Sequence, residues 1–169
     1  MITLIESDRL LLRVFTIQDA NAAERFWGDS EVMADSGGAT PLEALPRVLE
    51  SYQRCHMENG LSVYGVIEKA SGKLIGAAGF NVQGSLEQVE LLYHFAKNSW
   101  GKGYATEAAL LCVQLAKAHP TVRMITASAA PAHESSIHVL RKAGLQFVET
   151  QWFDDTQQEE PYFELAVND

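Results

Sequence analysis

The clearest periodicity in the chain lies between Tyr104 and Ala118. Apolar residues fall at Ala105, Ala108, Ala109, Cys112, Val113 and Ala116, the i, i+3, i+4, i+7, i+8, i+11 rhythm of a helix with one buried face. His119-Pro120 stops it. Just upstream, Val89, Leu91, Tyr93 and Phe95 alternate with Gln88, Glu90, Leu92 and His94. That alternation predicts a strand over 87–96, with Glu90 on the face opposite Val89 and Leu91. Two earlier strands, 61–68 and 73–80, flank the turn Ala70-Ser71-Gly72, and Gln83-Gly84-Ser85 marks the next reversal, so the three strands form an antiparallel meander.

The N-terminal part reads as a strand over 9–15 followed by a helix. Thr16 caps that helix, with Asp19 three residues on, and it runs to about Trp27. Residues 29–40 form a loop broken at Gly37-Gly38. Thr40-Pro41-Leu42-Glu43 sets a cap, a proline at the first helical position and a glutamate in sequence, predicting a second helix that Asn59-Gly60 ends. A strand over 124–130, a short helix over 134–143 closed by Gly144, and strands over 146–153 and 162–167 complete the chain. A polar, acidic loop, 154–160, joins the last two. The order β, α, α, β, β, β, α, β, α, β, β has no repeat or linker. It predicts one α+β domain over residues 1–169, a mostly antiparallel sheet with helices on its faces.

Composition narrows the function classes. The 169 residues are 47% hydrophobic and 21% charged, enough for one domain with its own core. A net charge of −9 removes the basic footprint of a nucleic-acid binder. No apolar run approaches the ~20 residues a membrane span needs. The start MITLIESDRLLLRVF lacks the basic segment, apolar run and small cleavage site of a secretory leader, so a cytoplasmic protein is expected. Cys55 and Cys112 belong to no CxxC or Cys/His cluster, so no metal is expected, and Cys112 reads as core.

The candidate chemistry sits between the strand over 87–96 and the helix at Tyr104. Gly101-Lys102-Gly103-Tyr104-Ala105 leads into a helix N-terminus, where unpaired backbone N–H groups and the helix dipole make an anion site. Lys102 adds a positive charge. A Walker A loop would need Ser or Thr after the glycine-lysine pair, and a Rossmann fingerprint would need Gly or Ala where Thr106 stands. Both fail, leaving either a glycine-rich packing turn or a different anion site.

Trp100 to Ala108, WGKGYATEA, resembles the acetyl-CoA-binding motif of the GNAT N-acetyltransferases, and most closely their ribosomal-protein N-terminal acetyltransferase branch (the RimJ/RimL type). DRLLLR (8–13), GKLIGAAG (72–79) and PAHESSIHVLRKAGLQF (131–147) are similar to three further segments of that branch, in the right order. The resemblance implies a twisted central sheet that splays in the middle, with acetyl-CoA in the cleft. It implies that the pyrophosphate rests on backbone N–H groups from Gly101, Lys102, Gly103, Tyr104, Ala105 and Thr106, beside Trp100, and that the pantetheine arm pairs with backbone near His94 and Phe95.

Two positions depart from the family pattern. His133 stands where an Asn near the cofactor arm is usual, and is read either as a cofactor contact or as a surface cap for the next helix. Leu140 stands where many relatives carry a Tyr that protonates the leaving thiolate. Ser135 or Ser136 could take that role, or water could serve. Ser136 enters the candidate catalytic and cofactor-binding set on that basis. Glu90, where the branch carries a glutamate, is the candidate base. The implied acceptor is a protein N-terminal α-amine or a small-molecule amine. Residues 27–38 and the acidic loop are its expected walls. The alternatives are a non-catalytic acyl-CoA-binding or sensing domain and a purely structural interaction domain. A homodimer is left open.

Overall fold

The computed structural model describes residues 3–168. The elements run β1 (Thr3–Glu6), β2 (Leu10–Arg13), α1 (Ala20–Trp27), α2 (Leu45–Asn59), β3 (Val63–Glu68), β4 (Lys73–Asn81), β5 (Gln88–Phe95), α3 (Tyr104–Ala118), β6 (Met124–Ser128), α4 (Glu134–Lys142), β7 (Gln146–Phe153) and β8 (Gln158–Ala166). The eight strands make one sheet in the order β1-β2-β3-β4-β5-β6-β8-β7. Every pairing is antiparallel except β5 with β6. Those two are parallel because α3 crosses between them, returning the chain to the end of the sheet where β5 began.

The helices cover the two faces of the sheet. On one, Phe26, Trp27, Leu45 and Leu49 of α1 and α2 pack on Phe15, Val63, Leu74 and Ala77. On the other, Ala108, Ala109, Cys112 and Val113 of α3 join Val139 and Leu140 of α4 over Val66, Val89, Leu91, Ile125 and Phe163. The apolar spacing from Ala105 therefore does face the core. Cys112 is fully buried there, and burial pushes its thiol up to about 12.

The structure departs from the sequence expectations at three points. A first strand, β1, precedes the expected one and pairs with it. Thr40 caps no helix: Pro41 precedes a 3₁₀ turn over Leu42–Ala44, and α2 begins at Leu45. The acidic loop is only a turn, because β8 starts at Gln158 and pairs with β7. Just before that turn, Trp152 is 57% exposed and donates its indole N–H to Asp154 at 2.8 Å. The Thr16–Asp19 signal holds: the Asp19 carboxylate accepts the Thr16 N–H at 2.9 Å.

Candidate active site

The sheet opens between β5 and β6. β5 pairs with β4 from Glu90 to Phe95, but with β6 only through Gln88, Val89 and Glu90, the last opposite Thr126. β6 is meanwhile held by β8 along its whole length. From Leu91 onward, β5 has one ladder partner and one open edge. The Ala96 N–H donates to the Ile75 carbonyl of β4's strand line at 3.0 Å. Backbone groups alternate between edges along an antiparallel strand, so His94 and Leu92 turn toward β4, whereas Tyr93 and Phe95 turn toward the opening. The Phe95 carbonyl accepts the Trp100 indole N–H at 2.8 Å. Its N–H and the Tyr93 backbone lie on the open edge.

At the mouth of the opening lies the start of α3. Gly101 and Gly103 have φ of +75° and +80°, a left-handed conformation that side chains resist. A Cβ on Gly101 would have nothing within 4 Å. The bond from the Glu107 N–H to the Gly103 carbonyl, 3.2 Å, is the first of the helix, so the N–H groups before it have no intrahelical acceptor. The turn is fixed from behind. Arg9 donates to the Lys102 carbonyl and to Glu107, both at 2.8 Å, and stacks over Tyr104 at 4.5 Å. Glu107 also accepts from the Ser7 hydroxyl at 2.5 Å. Partial burial opposes its ionisation, but the Ser7 hydroxyl and Arg9 outweigh that and hold its carboxyl below the usual range. Glu107 is thus a brace between α3 and the β1–β2 hairpin.

The candidate side chains lie in varied surroundings. Tyr104 is buried, and its hydroxyl donates to Glu68 at 2.6 Å, away from the turn. The His94 ring lies on the α1/α2 face, accepting the Trp27 indole N–H at 3.2 Å and sitting 3.1 Å from the Ser36 hydroxyl. Burial holds this imidazole down to about 4, so it is neutral. Ala105 and Thr106 are half-buried in the first turn, and Lys102 is exposed. His133 is exposed at the N-cap of α4, and its side chain caps nothing.

Glu90 and Ser136 come to the opening from opposite faces. Glu90, at the last ladder pair, accepts from the Asn81 amide at 3.2 Å on the α1/α2 side. Ser136, in the first turn of α4, lies 2.8 Å from the hydroxyl of Tyr93 on the α3/α4 side. Leu140 is 1% exposed within the core. The residues expected to wall the acceptor are differently employed. The loop after α1 is tied to β5 by His94–Ser36 and by Lys97, 3.4 Å from both Asp29 and Glu31. Glu160 is buried and accepts from Thr156 and Gln158, both at 2.8 Å.

The family model of the acetyltransferase (GNAT) domain matches residues 9–146. The chain belongs to the GNAT acetyltransferases. The uncharacterized N-acetyltransferase p20 of Bacillus licheniformis is 26% identical over 144 residues, covering 83% of this chain and 80% of that one. A GNAT-family acetyltransferase from Bacillus anthracis superposes with a TM-score of 0.85 at 22% identity, covering 98% of both chains. The ribosomal-protein-S5-alanine acetyltransferase of Vibrio fischeri gives 0.81 at 15%, covering 100% of this chain and 98% of its own. At those identities the two structures show the shared fold: a mixed, mostly antiparallel sheet with four helices.

As a GNAT enzyme, this chain is an N-acetyltransferase, and the family uses acetyl-CoA. The residues present fit that co-substrate. A pyrophosphate needs donors without obstruction, and the open space over Gly101 beside free N–H groups supplies them. An extended amide-bearing arm needs an unpaired strand edge, and β5 beyond Glu90 has one. The Tyr93–Ser136 contact was not legible in the sequence, because Tyr93 stands in an apolar alternation that reads as core and Ser136 lies 43 positions away.

Proposed function

We propose that this GNAT enzyme transfers the acetyl group of acetyl-CoA to a primary amine, with Glu90 as the base that receives the amine proton, directly or through water. The acceptor is a protein N-terminal α-amine, as in the RimJ/RimL branch, or the amine of a small molecule. The observation that carries the reading is the open edge of β5 next to the bare first turn of α3. An anion site and a strand-like site then lie in line, ending at Glu90. The amine must lose a proton to attack, since an α-amine has a reference pKa of about 7.7–8.0 and a lysine amine about 10.4. A cleft of about 360 Å³ between α2 and the end of β4 is lined by Tyr52, Cys55, Glu58, Phe80, Asn81 and Gln83. Asn81, which lines this cleft, also donates to Glu90, on the side opposite α3 and α4. Its size suits a small amine or the first residue of a peptide.

Thermal unfolding against acetyl-CoA, with adenosine diphosphate as control, tests the first half. A ligand binding only the folded state adds about 2.7 kcal/mol at 100 times its Kd. Release of free CoA on adding amines and N-terminal peptides tests the second. The buried Leu140, which cannot donate a proton, favours one other reading, a non-catalytic acyl-CoA sensor. A sensor binds acetyl-CoA and releases no CoA with any amine.

A further inference from the structure

We propose that Tyr93 is a positioning residue for the departing sulfur: its hydroxyl donates a hydrogen bond to Ser136, leaving the Ser136 hydroxyl free to donate a hydrogen bond to the coenzyme A thiolate. This rests on the acetyl-CoA reading and assigns a leaving-group device to a chain that lacks a tyrosine at Leu140.

Either hydroxyl could donate across this pair, and the shorter contact is the basis for taking the phenol as donor to Oγ. The Tyr93 oxygen lies 2.8 Å from Ser136 Oγ and 3.1 Å from the Ser136 carbonyl oxygen. That carbonyl, in α4, already serves the helix ladder. Among the described residues, Tyr93 is the one hydrogen-bond partner of Ser136 Oγ. When the phenol donates to Oγ, the serine hydrogen is bound to no protein acceptor and can turn into the opening. Tyr93 stands on the stretch of β5 beyond its ladder with β6, and Ser136 in the first turn of α4, the helix that follows β6, so the pair links the elements on either side of the opening.

Magnitude decides between giving a proton and giving a hydrogen bond. Burial raises the Tyr93 phenol to about 12, against a reference thiol value of about 8.5. Full transfer from phenol to thiolate is disfavoured by roughly a thousandfold or more. The pair therefore stabilises a thiolate and does not protonate it. The nitrogen–carbonyl bond forms, the carbon–sulfur bond breaks, and sulfur keeps the electron pair. The amine proton leaves toward Glu90 on the other face.

The test compares CoA with desulfo-CoA, which lacks the sulfur, by titration calorimetry at about pH 9, where an ordinary thiol is mostly thiolate. A hydrogen bond to a charged acceptor should make CoA bind about 10-fold tighter or more. Tyr93→Phe and Ser136→Ala should each bring that ratio toward one with desulfo-CoA affinity unchanged. The double variant should add little, because the two act as a unit. Ser136→Thr, which keeps the hydroxyl, should retain the ratio. An unchanged ratio in Tyr93→Phe overturns the proposal, whatever Ser136→Ala does. Wild-type protein that binds neither CoA nor desulfo-CoA overturns the acetyl-CoA reading itself, a separate result.

Discussion

Gly101 and Gly84 make a matched pair that separates backbone strain from ligand contact. Their φ values are +75° and +81°, and a Cβ on either would have nothing within 4 Å. Alanine at either site pays the same left-handed penalty, about 1–2 kcal/mol. For a domain of this size that is a fall of roughly 2–8 °C in melting temperature. The surroundings differ. Gly84 lies in the turn between β4 and β5, at the end of the sheet away from the start of α3. Gly101 lies where the anion is expected against bare N–H groups. Gly101→Ala should therefore lose acetyl-CoA affinity by about 10-fold or more, about 1.4 kcal/mol, with valine worse than alanine. Gly84→Ala should bind as wild type does. Calorimetric titration with acetyl-CoA, alongside melting curves, reads both quantities. Equal melting losses with equal affinities would refute the reasoning, because the space over Gly101 would then not be ligand space.

Glu90→Gln should lower turnover by about 10²–10⁴ with acetyl-CoA binding retained, measured as CoA release across pH; near-normal rates would remove Glu90 from the mechanism. Asp19→Asn should cost about 3 kcal/mol, the low end for a buried pair, because Asp19 takes both Arg13 nitrogens at 2.8 Å; urea unfolding measures it. Burial raises the Asp19 pKa, but Arg13 and the Thr16 N–H outweigh it and lower it, so this stability is present above about 3.9 and lost as pH falls through the lower folded value. His94 runs over a different window. Its folded value of about 4 lies below the ordinary 6.5, so the unfolded chain takes the proton first and stability declines from about pH 6.5 down to about 4. His94→Gln should flatten that limb of a melting-temperature profile.

The helices and the turn before α3 were legible because periodicity and glycine act locally. Ala105 to Ala116 needs no distant partner to declare a helix face, and Gly101-Lys102-Gly103 declares its own backbone. What was illegible depends on pairing. β1 is four residues, TLIE, and becomes a strand only because β2 lies beside it. Gln158, Glu159 and Glu160 look like a loop in sequence, yet they pair with Phe153, Trp152 and Gln151. In the site, Glu90 could be placed because alternation fixes its face. The same alternation puts His94 on that face, but its partner was not legible, since the ring accepts from Trp27, 67 positions away. In the two walls expected for the acceptor, the partners of the carboxylates were not legible: Asp29 and Glu31 meet Lys97, and Glu160 accepts from Thr156 and Gln158.

Only three residue pairs of the parallel ladder join β1–β5 to β6–β8–β7. Amide exchange should consequently change character within a single strand. Toward β4, the Leu92 and His94 amides are locked in an unbroken ladder. Toward the opening, the Tyr93 and Phe95 amides can exchange without any unfolding. A bound arm that accepts from those two amides would act as a missing strand, so protection would spread along β5 as the co-substrate fills. A co-substrate seated so would be a structural member of the sheet as well as an acetyl donor, and its departure would loosen the two halves when product leaves.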